Sequence, residues 1–522
     1  MHDRRVGRLT LAALLGTGGL ALSATASAAG NCAALKDFKL AGFALQIDKA
    51  EEVPAGPMAA GPPGSPPGPR ANLPAHCRVE GTLDKRTGRD GKPYAIGFAV
   101  ALPSNWNGRF FFQGGGGLNG ALNPPVGAQY AGEAPALAQG FAVASTDSGH
   151  RAAGFDATFL EDQEAALNFL YQANAKVTVV AKEIVAKHYE KAAHHSYFVG
   201  CSTGGREGMM MSQRFPGFYD GIVAGAPATR TSYSNLALRH ATTQLNQVAP
   251  KDAQGRFQTS QALSESDRKV VLDGLLAACD GLDGQKDGII NAVKSCRFDP
   301  AALACKGEKA EGCLSPAQVS AVSKAMAGPK TAEGRQVYPG FYYDTGILTT
   351  RGLPGVLVGT MIPEGTPAGD TMDVDAADAA AHDGRSMLGD TNAWTNLSSF
   401  QSRGGKLIFF HGVSDPWFSA QETVQYYGKL EKDTGGGPVA AWSRLFLVPG
   451  MGHCSGGERT LDRFNMVDAI VNWVEKGQAP EKVIATGASV PGVSQPLCPY
   501  PAHAQYNGSG DAASAASYSC RE

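Results

Sequence analysis

The sequence predicts an α/β fold, a largely parallel sheet covered on both faces by helices, with one large insertion and disulfide ties. Three observations predict it. Short apolar runs alternate with segments of helical periodicity from about Tyr94 to Gly225, and again from Lys406 to Lys476. Parallel strands need such crossovers, and strands covered on both faces read as near-continuous apolar runs. Between about Thr229 and Gly404 the alternation lapses and Ala, Asp and Gly become frequent. Finally, ten cysteines stand at 32, 77, 201, 279, 296, 305, 313, 454, 498 and 520, all beyond an export-type N-terminus. An even count in that context favours disulfides over metal ligation or free thiols.

Taken in order, Arg4, Arg5 and Arg8 precede the apolar run Leu9 to Leu22, and small residues follow at Ala24, Ala26 and Ala28. This is a signal-peptide pattern with cleavage near Ala28 or Ala29, too short and glycine-rich for a membrane span. Pro54 to Arg70 is dense in proline and glycine and reads as an extended surface loop. Arg109 to Gln113 is a strand that runs into Gly114 to Gly117, and Gly140 to Ser145 is a second one, leading into Thr146-Asp147-Ser148-Gly149-His150. Gln163 to Tyr189 carries apolar residues at helical spacing and reads as one long helix. Strand Ser196–Gly200, helix Gly204–Arg214 and strand Gly221–Gly225 come next. After the insertion the pattern resumes as strand Lys406–Phe410, helix Ala420–Leu430, strand Trp442–Val448 and helix Thr460–Lys476. The organisation expected is a signal segment at 1–29, a catalytic domain built from 30–228 and 405–522, and a lid domain at 229–404.

Over its 522 residues the chain is 43% hydrophobic and 18% charged, a globular composition, and its formal net charge is -2 with no long run of either sign. That leaves no electrostatic footprint for nucleic acid or an anionic membrane surface. The expected partner is a small molecule.

Ser202 is the centre of Gly200-Cys201-Ser202-Thr203-Gly204, the G-x-S-x-G turn between a strand and a helix. In α/β-hydrolases that turn exposes a serine nucleophile. A serine hydroxyl needs a base to take its proton and a carboxylate to orient the base. His453 lies in the late loop Pro449-Gly450-Met451-Gly452-His453-Cys454, and Asp415 follows the Lys406–Phe410 strand in His411-Gly412-Val413-Ser414-Asp415-Pro416. The order Ser202, Asp415, His453 is that of an α/β-hydrolase. His150 and His411 are rival bases, each explicable as a sheet-edge histidine. For the oxyanion, Thr203 would give one backbone N–H, and the glycine run the other, with Gly115 and Gly116 as candidates.

Sequence proximity favours the pairs Cys279–Cys296, Cys305–Cys313 and Cys498–Cys520, leaving Cys32–Cys77 and Cys201–Cys454. The last pair would clamp the serine turn against the histidine loop. Cys279 to Ile289 gathers three aspartates among glycines, the hard oxygen donors that calcium selects. Read from Asp283 it begins like an EF-hand, but Lys294 replaces the glutamate at the twelfth position.

Together these blocks resemble the tannase and feruloyl esterase family, which includes the mono(2-hydroxyethyl) terephthalate hydrolases. The resemblance spans the mature chain. Its most specific mark is Cys201-Ser202 with His453-Cys454, supported by Ser202-Thr203-Gly204-Gly205-Arg206, Thr146 to His150, Gly404-Gly405-Lys406-Leu407 and Pro449 to Gly457. It implies an α/β-hydrolase core with an inserted lid, and hydrolysis of hydroxycinnamate, gallate or terephthalate-type esters through an acyl-serine. It also implies Asp415 as the acid, the five disulfides named above, and Phe418 as an aromatic pocket residue. A structural lid Ca2+ would fall on Asp280, Asp283 and Asp287 with the carbonyls of Gln285 and Ile289, and no organic cofactor is implied. Two other readings stand beside it: a secreted peptidase of the same fold, and a catalytically silent, calcium-bound binding protein.

Overall fold

The computed structural model describes residues 30–58, 71–127, 132, 134–349, 354–359 and 368–522. The signal segment 1–29 and most of the proline-rich stretch (59–70) lie outside the described residues. Nine strands make one sheet: β1 Leu45–Val53, β2 His76–Thr87, β3 Pro93–Pro103, β4 Arg109–Gln113, β5 Ala142–Thr146, β6 His195–Cys201, β7 Gly221–Gly225, β8 Lys406–Gly412 and β9 Ser443–Val448. Their spatial order is β1-β2-β3-β5-β4-β6-β7-β8-β9. The six strands from β5 to β9 pair in parallel, whereas β1, β2 and β3 run antiparallel to their neighbours.

Each predicted strand forms within a few residues of its expected ends. The three antiparallel strands were not anticipated. β2 alternates buried and half-exposed residues along a polar sequence, HCRVEGTLDKRT, so its period-2 signal is carried by Cys77, Val79, Gly81 and Leu83 alone.

Helices cover both faces. Phe110, Phe112 and Phe198 face Val177, Val180 and Ile184 of helix α2 (Ala173–Tyr189) and Met209 to Met211 of helix α3 (Thr203–Arg214). On the other face Phe111, Tyr197, Val199, Ile408 and Phe410 pack with Ile470 and Trp473 of the last helix. Consecutive phenylalanines of β4 therefore enter opposite cores, as strand pleating requires, and each contributes roughly 1.5–3 kcal/mol by burial. The predicted long helix is α1 (Gln163–Leu167) joined to α2 through one π-helical turn, Asn168–Gln172.

Residues between β7 and β8 add no strand to this sheet among those described. They form helices α4 (Thr231–Asn246), α5 (Glu265–Cys279), α6 (Pro316–Ala327) and α7 (Val374–Ala381). The apolar faces of α4, α5 and α6, Leu238, Leu245, Val271, Leu275 and Val322, share a separate core with Val413, Trp417 and Phe418. The inserted region thus packs directly on the loop after β8. Beyond it come α8 (Ala420–Thr434) and α9 (Met466–Lys476). α9 begins at Met466, not Thr460, because Asn465 caps it: its side chain accepts from the N–H of Asp468.

Candidate active site

Ser202 is the single residue between β6 and α3, and it takes φ 63°, ψ -123°. A non-glycine residue there is strained by about 1–3 kcal/mol and must be held by its surroundings. Its N–H donates to Gly225 O (3.0 Å) and its carbonyl accepts from Arg206 N and Ala228 N (3.0 and 3.1 Å). The flanking glycines are steric requirements. A Cβ on Gly200 would lie 2.5 Å from the Gly204 carbonyl, and one on Gly204 would lie 2.6 Å from the Gly115 carbonyl.

His453 Nε2 lies 2.8 Å from Ser202 Oγ, and its Nδ1 lies 2.7 Å from Asp415 Oδ2. An ionised carboxylate only accepts, so Nδ1 carries the proton and Nε2 is left to accept from the serine. Asp415 is fully buried; Trp417 N and Phe418 N donate to its Oδ1 at 2.8 and 3.0 Å. Burial pushes its carboxyl up, but His453 and His411 hold it well below the usual carboxylate range.

His411 is not a rival base. Its Nε2 faces two acceptors, Phe418 O (2.9 Å) and Asp415 Oδ2 (3.3 Å), so it is the protonated nitrogen. Its Nδ1 then accepts from Thr423 Oγ1 at 2.8 Å. The ring is buried and oriented as a further donor to Asp415. His150 stacks on Phe159 (3.5 Å between ring centroids), and burial lowers it to about 4.

All five cysteine pairs close as expected: Cys32–Cys77, Cys201–Cys454, Cys279–Cys296, Cys305–Cys313 and Cys498–Cys520. Cys201–Cys454 joins the neighbours of Ser202 and His453 across 253 residues, with the Cα atoms 6.0 Å apart. A brace the sequence did not reveal comes from the inserted region. Buried Asp344 accepts from Ser414 Oγ (2.7 Å) and Gly450 N (2.6 Å), tying the acid loop to the histidine loop. An aspartate in Tyr342-Tyr343-Asp344-Thr345-Gly346 carries no motif, and only the fold brings it to these loops.

Phe418 and Trp417 both lie beside the histidine ring, at 5.3 and 5.5 Å between centroids. Phe155 reaches Trp417 from the loop before α1 at 5.4 Å and is 41% exposed. Trp417 and Phe155 were missed by sequence reasoning, although Trp417 adjoins Phe418 in the same run.

One oxyanion candidate changes. The Gly115 N–H donates to Glu207 Oε2 at 2.9 Å, so it is turned into the protein and not toward Ser202. Of the two candidate glycines, Gly116 remains.

The aspartate loop is tied at its base by Cys279–Cys296. Asp280 Oδ1 accepts from Gly288 N, Asp283 from Gln285 N and Asn291 Nδ2, and Asp287 from Ile289 N and Gln495 Nε2, all at 2.8–3.0 Å. Burial pushes Asp283 up to about 6, and the charge of Asp287 adds to it. Burial likewise raises Asp280, with Arg459 offsetting it only in part. Hard oxygen donors whose charge is only partly offset by a side-chain cation fit a divalent cation. A different group of possible metal ligands lies at the opposite, N-terminal edge of β6: His194, His195 and Glu475 have ligand atoms within 4.8 Å of one another. There Arg109 already engages both Glu475 oxygens at 2.7 Å.

The arrangement can activate a hydroxyl, stabilise the imidazolium that forms, and present N–H groups to a developing oxyanion. The family model for tannase and feruloyl esterase matches residues 77–362 and 369–521. Mono(2-hydroxyethyl) terephthalate hydrolase of Piscinibacter sakaiensis is 39% identical, covering 86% of this chain and 85% of that protein. A probable feruloyl esterase B-2 of Neosartorya fischeri is 29% identical over 85% of this chain and 86% of its own length. The crystal structure of feruloyl esterase B from Aspergillus oryzae superposes with a TM-score of 0.75 at 26% identity, covering 94% of this chain and 99% of that one. Family blocks and fold thus run together through nearly the whole described chain, and the protein belongs to the tannase and feruloyl esterase family of carboxylic ester hydrolases.

Proposed function

We propose that the protein hydrolyses aromatic carboxylic esters through an acyl-serine intermediate formed on Ser202. The observation that carries this reading is the pair of hydrogen bonds Ser202–His453–Asp415 at 2.8 and 2.7 Å. As Ser202 Oγ attacks the ester carbonyl, His453 Nε2 takes its proton, and Asp415 stabilises the imidazolium. The N–H groups of Thr203 and Gly116 hold the oxyanion. Collapse breaks the ester C–O bond, and His453 returns the proton to the departing alcohol. Water, deprotonated by the same histidine, then releases the acid and restores Ser202.

Phe418, with Trp417, walls the acyl side of the pocket, and residues 229–404 form a lid over it, a reading supported by their shared core with these two rings. Asp280, Asp283 and Asp287, with the carbonyls of Gln285 and Ile289, would hold a calcium ion. When bound it supplies a rigid cross-link within the lid and takes no part in the reaction. The five disulfides support an exported protein, and no helix among the described residues is long and apolar enough to cross a membrane.

The test is hydrolysis of methyl ferulate, methyl gallate and mono(2-hydroxyethyl) terephthalate by the oxidised protein, with Ser202→Ala as blank. Activity on at least one ester, lost by about 10⁴-fold or more in the variant, is expected. Retained activity in Ser202→Ala would sink the assignment. A terephthalate monoester as preferred substrate is a second reading, favoured by the 39% identity to a hydrolase of that compound. Feruloyl or galloyl preference would count against it.

A further inference from the structure

Glu207 sits in α3 five residues after Ser202 and is completely buried. A carboxylate in that position is costly unless several donors meet it. Three do. Gly115 N–H donates to Oε2 at 2.9 Å, Asn119 Nδ2 donates to Oε1 at 2.7 Å, and Ser148 Oγ lies 3.4 Å from Oε1. Asn119 Nδ2 also contacts Ser148 Oγ. The adjacent guanidinium of Arg206 points elsewhere, donating to the carbonyls of Phe169 and Leu170. Nothing in the hydrolytic cycle uses Glu207 directly.

Its donors all belong to segments beside the glycine run. The neighbouring side of that run is tied as well, since Thr203 Oγ1 donates to the Gly117 carbonyl. Gly116 is therefore held between two tethered residues, and its own carbonyl accepts from Asn119 N at 2.9 Å. The Gly115 carbonyl backs onto α3, so close that a Cβ on Gly204 would come within 2.6 Å of it. A trans peptide sends its N–H opposite to its carbonyl, so the Gly116 N–H points away from Gly204. Gly115 itself has no room for a side chain, because Asn119 atoms would lie 2.4–2.6 Å from its Cβ.

We infer that Glu207 is a positioning residue of the oxyanion hole: by gripping the Gly115 N–H and Asn119 it fixes the peptide that presents the Gly116 N–H alongside that of Thr203. The inference rests on the proposed acyl-serine chemistry at Ser202. Oxyanion donors act through preorganisation, and losing one lowers kcat by about 10²–10³-fold. In Glu207→Gln an amide replaces one acceptor oxygen and turns a donor toward Asn119 or Gly115. The loop is then released while Ser202, His453 and Asp415 keep their contacts.

Expected for Glu207→Gln is a kcat about 10²-fold lower, with KM within about threefold of the parent enzyme. Affinity for an aryl boronic acid, whose tetrahedral adduct places an oxygen where the oxyanion forms, should fall in step with kcat. Affinity for the free aromatic acid should not. A purely structural glutamate would weaken both ligands together and lower the melting temperature, and that result would overturn the inference. So would wild-type kcat in a folded Glu207→Gln protein. Should Glu207→Gln not fold, Asn119→Ala releases the same loop from the surface side. A kcat about tenfold lower at unchanged KM is expected, and unchanged kcat refutes the role. Ser202→Ala run in parallel separates the two proposals. If it stays active, the acyl-serine reading falls. If it is dead while Glu207→Gln is fully active, only the role of Glu207 falls.

Discussion

Asp415 and Asp283 are both buried carboxylates, yet their proton affinities move in opposite directions. Burial raises both. At Asp415 the rings of His453 and His411, 2.7 and 3.3 Å away, reverse the effect, and two backbone N–H groups complete the shell. At Asp283 the partners are amides, the neighbouring Asp287 adds repulsion, and the carboxyl rises to about 6. The chain compensates the first charge with its own side chains, whereas the second meets only amide donors and keeps its proton more tightly. An orienting carboxylate that must stay ionised through every turnover is best served by built-in partners.

The sharpest break of this comparison is Asp415→Asn. It should lower kcat by about 10⁴-fold through loss of tautomer control, while Asp283→Asn should leave kcat within a few-fold. Steady-state kinetics on the two variants checks both, and comparable losses would collapse the distinction. Opening Cys201–Cys454, by a paired Cys201→Ala/Cys454→Ala change, releases a loop of 253 residues. A stability loss of about 2–5 kcal/mol and a marked fall in kcat are expected from denaturant unfolding and kinetics. Unchanged activity would mean that hydrogen bonds alone hold Asp415 and Ser202 to His453.

Phe418→Leu retains the backbone N–H that serves Asp415 and removes only the ring. Aromatic esters should lose about tenfold in kcat/KM, with little change for an aliphatic ester of similar size. Equal losses on both would show that the residue acts through Asp415. The smallest effect is on melting temperature. Chelation should lower it by a few degrees at pH 7 in the parent protein and not in Asp283→Asn. Because the folded-state pKa of Asp283 lies above its unfolded value, its contribution is present at low pH and lost as pH rises through about 6. The chelated protein should therefore regain part of that loss between pH 7 and 5, a recovery absent with calcium bound. A flat profile for the chelated form would remove the calcium assignment.

Much of this is legible in the amino-acid sequence. β4, β5, β6, β7, β8 and β9 announce themselves because strands covered on both faces are continuous apolar runs, as Phe110-Phe111-Phe112 and Ile408-Phe409-Phe410 are. Ser202, Asp415 and His453 are legible because each follows such a strand in a turn of distinctive residues. β1, at the sheet edge, and β2 beside it were not, since half-exposed strands rich in Lys, Glu and Arg dilute the alternation. Gly115 misled because equivalent glycines in a run carry no local sign of which N–H faces inward. Glu207 gave only a faint signal, a carboxylate just ahead of Met209-Met210-Met211 in a helix buried on nearly every side.

The sequence by itself determined the local elements, the strand-to-helix turn that strains Ser202, and the cysteine neighbours of both Ser202 and His453. Each is encoded within a few residues, by apolar period, steric demand for glycine, or adjacency. Only the tertiary structure decided which groups serve those residues: His411 as a second donor to Asp415, Asp344 bridging two loops, and Glu207 holding Gly115. Asp344 and Glu207 stand 70 to 106 residues from the groups they hold. Even His411, four residues before Asp415, is aimed at it only by the packed turn, so no local pattern records these contacts. A buried polar group takes whichever donor or acceptor the packed fold delivers to it.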